Sequence, residues 1–229
     1  CKRKVENAKK RIYNVTEDTQ ELWEMQEGRK RGRTTVAETK NAWLLERSKI
    51  GFFDIETSNL AGSIGMMLCA CVKSRGGAIQ TFTATKRGGI LDDRQALVGL
   101  RNAIESLDFA VSFYGTRFDL TFINTRLMMQ GERPIDHIRH LDLYYTARYK
   151  LRLHSNRLEV VAETVLGKSD KTRVVGPIWT RAAMGDSNAL QYIIDHCQRD
   201  VTVLGEVFEK LLPFVNLSGV RWRKLGAAY

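Results

Sequence analysis

No stretch of the 229 residues approaches the roughly 20 apolar positions that a membrane-spanning helix needs. No leader of the secretory type is visible either. Cysteine is scarce. The four (Cys1, Cys69, Cys71, Cys197) show neither the paired spacing of a zinc site nor a disulfide framework. Cys69 and Cys71 share one face of an apolar run, which predicts buried free thiols and fits a reducing cytoplasm. The chain begins at Cys1 rather than Met, so a preceding piece is expected. Acidic residues are outnumbered, 26 against 36 basic ones, for a net charge of +10. That excess predicts a polyanionic partner, most simply nucleic acid, with a membrane surface as the other candidate. Otherwise the composition is that of an ordinary globular protein, long enough for a sizeable core.

The stretch around which the rest is organised is Gly51-Phe52-Phe53-Asp54-Ile55-Glu56-Thr57-Ser58-Asn59-Leu60. A short apolar run from Ile50 to Phe53 delivers Asp54 and Glu56. Residues two apart on a strand point to the same face. Two carboxylates side by side raise each other's pKa unless a cation sits between them. Hard oxygen donors on a strand suit Mg2+ or Mn2+. The competing reading is an edge strand bearing two solvated acids.

Residues 1–49 differ from the remainder and predict a basic, helical N-terminal appendage, with the main domain spanning residues 50–229. Leu22, Trp23 and Met25 recur at helical spacing. Thr35 and Glu38 form a capping-box pattern for a second helix running to Arg47 and burying Val36, Trp43 and Leu44. Gly28-Arg29-Lys30-Arg31-Gly32-Arg33 lies between them as a basic turn, either touching phosphates or simply solvated.

From Ile50 the pattern predicts a three-strand antiparallel meander whose later strands cover Met66 to Val72 and Ala78 to Thr83. Asp92 with Gln95 predicts a helix cap, and Leu97, Leu100 and Ile104 continue that helix. Phe109 to Phe113 reads as a buried strand and Phe118 to Met129 as a helix. The order β-β-β-α-β-α predicts an α/β core with a mixed sheet. Asp119 stands at the start of its helix among Phe118, Leu120, Phe122 and Ile123. Tyr192 to Leu212 predicts a long amphipathic helix closed by Pro213, with Asp200 beside its apolar stripe. One turn of four residues puts His196, rather than Asp195, on the side of Asp200.

Asp-Ile-Glu-Thr, then Arg-Phe-Asp-Leu about sixty residues on, then His-Cys-Gln-Arg-Asp-Val on a late helix resemble the three motifs of the DEDD exonuclease family, which has a ribonuclease-H-like fold. The closer resemblance is to stand-alone, often phage-encoded 3′–5′ exonucleases related to the proofreading domains of family B DNA polymerases. It covers about residues 50–215 and takes in Leu141-Asp142-Leu143 and the stretch from Leu153 to Glu159. The resemblance implies that Asp54, Glu56, Asp119 and Asp200 hold two divalent ions, Mg2+ or Mn2+, with Asp54 bridging them. It implies that His196 orients or deprotonates the attacking water, a task suited to imidazole. The polymerase-related group usually carries Tyr where this chain has His196, and another large group carries His where this chain has Asp195. The family often has Asn where Tyr114 stands, and a tyrosine there offers a ring to a terminal base. Thr57, Leu60 and Arg157 complete the expected substrate contacts.

Between the second and third motifs fall Arg148, Lys150, Arg152, Arg157, Lys168, Lys171, Arg173 and Arg181, with Tyr144, Tyr145 and Tyr149 interleaved. Bases and phosphates of a single strand suit such a mixture. Asn156 with Glu159 reads as a further capping box, so a structural role is expected for Asn156 and a phosphate role for Arg157. Asp142 is expected either in a pair with an arginine or as an outer acid near the ions. Gly167 to Met184 reads as a flexible loop with Trp179 as anchor, and Arg221 to Lys224 as a basic tail. The expected activity is 3′–5′ hydrolysis of nucleic acid, single-stranded DNA above all, in the host cytoplasm if phage-encoded. A replication or recombination partner and no membrane contact are expected. The alternatives are a structure-specific or internally cutting nuclease and a binding module without activity.

Overall fold

The computed structural model describes residues 36–87, 90–167, 176–217, 220 and 222–224. The chain divides into two compact units, Cys1–Trp43 and Leu44–Tyr229, and most of the first lies outside the described residues, including the expected first helix and the Gly28 to Arg33 turn. Helix α1 (Val36–Arg47) ends where expected. Trp43, expected buried, is 56% exposed, whereas Leu44 and Leu45 pack on the core of the second unit.

Strand β1 (Ile50–Thr57) is central to a six-stranded sheet. Its side chains alternate: Ile50 and Phe52 enter one apolar layer, Phe53 and Ile55 the other. Asp54 and Glu56 therefore continue the Phe52 face. On one side β1 pairs antiparallel with β2 (Met67–Ser74), which pairs antiparallel with β3 (Ile79–Thr83). On the other it pairs parallel with β6 (Phe109–Ser112). Strand β7 (His137–Asp142) runs parallel to β6, and β8 (Trp222–Lys224) closes that edge antiparallel to β7. The order is β3-β2-β1-β6-β7-β8. The expected meander and mixed sheet are present. A small hairpin of β4 (Thr85–Arg87) and β5 (Ile90–Asp92) was not foreseen, and the expected basic tail supplies β8.

Parallel neighbours require crossovers, and α2 (Arg94–Glu105) and α3 (Asp119–Met129) provide them. Leu97, Leu100 and Ile104 of α2 and Leu120, Ile123 and Leu127 of α3 join Phe53, Ile55 and Val72 in one layer. The opposite layer is closed by α7 (Ser187–Leu211), whose Val201, Leu204, Val207 and Phe208 meet Phe52, Cys69, Cys71 and Val111. Phe52 and Phe208 meet edge to face, 5.4 Å between centroids. Gly205 lets this helix lie close: a Cβ there would stand 3.2 Å from the Phe52 ring. The helix begins at Ser187, before the expected Tyr192, because Asp186 caps it by accepting from the Asn188 and Ala189 amides at 3.0 and 3.1 Å.

Three shorter helices complete this layer: α4 (Leu143–Lys150), α5 (Leu158–Leu166) and α6 (Gly176–Ala183). The first was not foreseen, and the last replaces part of the expected loop, with Trp179 packed on the core. Arg157, not Asn156, is the N-cap of α5, and no side chain caps it. The end at Gly167 stands, in the left-handed conformation at φ +67°. Likewise Asp93, not Asp92, occupies the N-cap of α2, while Asp92 accepts from the Arg94 amide at 2.9 Å. Among the described residues no helix is long and apolar enough to cross a membrane.

Asp93 is 1% exposed and is occupied elsewhere. It accepts from Arg126 Nε at 2.9 Å and Nη2 at 2.8 Å, from Gln130 Nε2 at 3.0 Å and from the Met67 amide at 2.9 Å. It thereby joins α2, α3 and the start of β2. Breaking a buried, hydrogen-bonded pair strands its partner. Asp93→Ala is expected to cost about 3–5 kcal/mol, read as a lowered urea midpoint at unchanged slope.

Candidate metal centre

Asp54, Glu56, Asp119, His196 and Asp200 come from three elements that meet at one end of the sheet. Asp54 and Glu56 stand on the α7 side of β1. Asp119 opens α3 just beyond β6, the strand beside β1, and is buried. Its carboxylate accepts from its own amide and from the amide of Ile55, which ties it to β1. Asp200 and His196 are one turn apart on α7. His196 Nε2 lies 3.5 Å from Asp200 Oδ2 and 3.9 Å from Glu56 Oε1. One donor atom each of Glu56, His196 and Asp200 falls within 4.8 Å of the others.

Asp54 and Glu56 keep some surface open to solvent, yet both carboxyls are pushed well above the usual carboxylate range. For Asp54 the main cause is burial, followed by the charges of Asp119, Glu56 and Asp200. For Glu56 it is burial, then Cys69, Asp200 and Asp119. Asp119 is pushed up to about 7 by burial, against the pull of its two backbone hydrogen bonds. Carboxylates that raise one another in this way fit a cation among them. Hard oxygen donors fit a divalent ion such as Mg2+ or Mn2+.

The floor of the site is thiol. Cys71 is opposite Asp54 and Cys69 opposite Glu56 across the β1–β2 ladder. Cys197 lies under Asp54, its Sγ 3.5 Å from the carbonyl oxygen and 3.8 Å from Oδ2. All three thiols are buried and free, as the sequence pattern predicts for Cys69 and Cys71.

Tyr114 and Arg157 come together as well. They line a cleft of about 440 Å³ with Phe113, Tyr144, Asn156 and Leu158. Asn156, misassigned to a helix cap, thus faces open space beside Arg157. Tyr114 has φ +69°, a left-handed conformation unusual for a tyrosine. Asp142 holds it there. Its Oδ1 accepts from the Tyr114 amide at 2.7 Å and the Tyr144 amide at 3.1 Å, and its Oδ2 from the Thr116 amide at 3.0 Å. These bonds stand where the arginine pair was expected, and the charge of Asp142 is among the causes that raise Asp119, in keeping with an acid just outside the carboxylate cluster. The signal available was an Asp between a strand and a helix, the N-cap position. Gly115 is required in the same turn, since a Cβ would collide with Ser112 Oγ.

Tyr114 and Tyr144 meet at 4.7 Å, Tyr144 and Tyr145 at 5.2 Å, and Tyr145 and Tyr149 stack at 6.2 Å. Arg148 reaches the Tyr144 hydroxyl at 3.2 Å, and the exposed Arg117 reaches that of Tyr145 at 3.4 Å. Thr57 donates its hydroxyl to the Asn59 carbonyl at 2.9 Å, and Leu60 is 83% exposed. Arg181 is committed to Asp186 at 2.8 Å, so it leaves the expected phosphate set. Lys168, Lys171 and Arg173 lie outside the described residues.

Comparison with known proteins agrees with this architecture. Residues 51–212 match a family model of the RNase H superfamily. Eighty residues are 35% identical to the DNA polymerase catalytic subunit of Gallid herpesvirus 2 (strain Chicken/Md5/ATCC VR-987), covering 35% of this chain and 6% of that protein. The family B DNA polymerase of the hyperthermophilic archaeon Pyrobaculum calidifontis superposes with a TM-score of 0.61 at 20% identity, over 76% of this chain and 27% of that one. The chain therefore corresponds to a minor part of either polymerase, and the second likeness is one of fold.

The raised carboxyls fix a pH dependence. A carboxyl with a folded-state pKa above its unfolded one takes up a proton on folding. Its contribution is complete below the unfolded value and is lost as pH rises through the folded one. For Asp119 that window runs from 3.8 to about 7, and Asp54 and Glu56 act in the same direction. In EDTA the denaturant midpoint is expected to fall as pH is raised across this window. Millimolar Mg2+ or Mn2+ is expected to restore it above the window; a midpoint rising with pH in EDTA contradicts the assignment.

Proposed function

The chain belongs to the RNase H superfamily, and on that premise we propose that it is a two-metal 3′–5′ exonuclease acting on single-stranded DNA. The convergence of Asp54, Glu56, Asp119 and Asp200 on one end of the sheet carries this reading. These four residues would hold the ions, and two ions when bound supply an activated water and stabilisation of the leaving 3′ oxygen in an in-line displacement. DNA is preferred to RNA because both polymerases it resembles are DNA polymerases.

The chain's own residues orient the strand. Tyr114 and Tyr144 offer ring faces at the mouth of the cleft, and Arg157 lines its wall. Arg117 and Arg148 flank the tyrosines. Stacking on rings tolerates any base, as a nuclease without sequence preference requires. Leu60, exposed in the loop after Glu56, would wedge against the last base. Asp142 acts as a positioning residue, because it holds the Tyr114 backbone in its left-handed turn.

Three measurements test the reading. Strands labelled at the 5′ end should shorten stepwise in Mg2+ or Mn2+, 3′-labelled strands should release mononucleotide at once, and circular single strands should survive. Cutting of the circles identifies an internal nuclease instead. Asp54→Ala should lower the rate on the order of 10³-fold or more, the several kcal/mol of charge stabilisation that such a site provides, while retaining DNA binding. Tyr114→Ala should raise KM roughly tenfold with a smaller change in kcat, in line with about 1–3 kcal/mol per stacked base.

A further inference from the structure

We infer that His196 is itself a ligand of the divalent cation, so that Glu56, His196 and Asp200 form a mixed nitrogen and oxygen site that takes Mn2+ in preference to Mg2+. The inference rests on the metal-centre reading and adds an imidazole donor to it, in place of the proton-transfer role that the sequence resemblance implies.

The distances point to a shared ion rather than to hydrogen bonds. His196 Nε2 stands 3.5 Å from Asp200 Oδ2 and 3.9 Å from Glu56 Oε1. Direct N–H···O bonds have their mode at about 2.9–3.0 Å. Two donors each about 2.0–2.2 Å from one ion, at angles between square and tetrahedral, lie roughly 3–3.5 Å apart. The three donor atoms all lie within 4.8 Å of one another. His196 and Asp200 are four apart on α7, the spacing at which two side chains on one helix face can hold a common ion. Glu56 closes the triangle from β1.

The other ring nitrogen argues the same way. His196 Nδ1 is buried and has no hydrogen-bond partner. A general base that becomes imidazolium is ordinarily oriented and stabilised by an acceptor on its second nitrogen. A ligand imidazole takes its orientation from the ion as well as from such an acceptor. Here Nε2 is the ring's polar attachment, so what Nε2 binds fixes the ring. Asp195, where another group of the family carries its histidine, accepts instead from Gln191 at 2.8 Å on the exposed side of the helix.

An imidazole nitrogen changes the ion preference. Mg2+ keeps to oxygen donors in near-ideal octahedra, whereas the first-row transition ions accept imidazole readily. Mn2+ is the informative probe because it is paramagnetic. Pulsed EPR of the wild-type protein with Mn2+ is expected to show the nitrogen coupling of a coordinated imidazole, altered in protein carrying 15N-histidine. His196→Gln should abolish that coupling and weaken Mn2+ binding about tenfold or more, the order seen when a ligand shell is disturbed, while Mg2+ affinity changes by less than about threefold. Mn2+ bound by the wild type without nitrogen coupling overturns this inference and leaves the carboxylate centre standing. Absence of any Mn2+ binding overturns both. The wild-type spectrum decides the matter even if the variant does not fold.

Discussion

Repulsion among carboxylates held at the end of one central strand is the constraint from which the rest of this structure follows. Asp54 and Glu56 occupy the face of β1 that Phe52 begins, so their positions are set by the two apolar layers that clamp the strand. Neither acid can move away from the other without taking the core with it. Asp119 is fastened to β1 through the Ile55 amide, and α7 is drawn close over Phe52 because Gly205 has no side chain. Burial energy thus assembles negative charge that would separate in a looser scaffold. A divalent cation would offset the repulsion, and the folded state and the loaded site would then be mutually supporting.

Much of this was legible in the chain because it is written in local periodicity. The alternation of β1, the apolar stripes of α2 and α7 and the isolated acids of α3 and α7 all involve side chains a few residues apart. What was not legible depends on partners distant in sequence or on backbone groups. Asp142 serves the amides of Tyr114 and Thr116, which no residue type announces. Asp93, at the N-cap of α2 where the pattern pointed to Asp92, is the anion of a buried pair with Arg126. Asn156 satisfied a capping pattern that the backbone did not use, since the helix starts two residues later at Leu158. Trp43 fitted a helical stripe yet faces solvent, because Leu44 and Leu45 supply the contact with the core.

Asp142 also connects the two halves of the site. Its carboxylate holds the left-handed turn at Tyr114, and its charge is among the influences that raise Asp119. The residue that aims a tyrosine at the cleft therefore also bears on an acid of the carboxylate cluster. A left-handed non-glycine residue costs of order 1–3 kcal/mol, so it persists only where the surroundings over-determine it. Three backbone hydrogen bonds to one buried carboxylate supply that determination. The aromatic face and the carboxylate cluster are consequently held in one relation, as the proposed activity would require if a terminal base and a scissile phosphate are to be placed together.

The thiols beneath the acids explain why so much charge is left unanswered within the protein. A carboxylate surrounded by amide or guanidinium donors is satisfied and has little need of an ion. Cys71 faces Asp54 across the ladder, and Cys197 approaches its Oδ2 at 3.8 Å. Sulfhydryls are weak donors, so they fill the volume under the strand while stabilising the charge very little. They also keep strong dipoles from the side of the acids that they cover, and the lower dielectric there lets each acid feel the others. Serine at these positions would donate stronger bonds to Asp54 and lower its demand for a counter-charge. The cysteines, of which Cys69 and Cys71 read from sequence as buried free thiols, thereby set an electrostatic tension that a divalent ion would relieve.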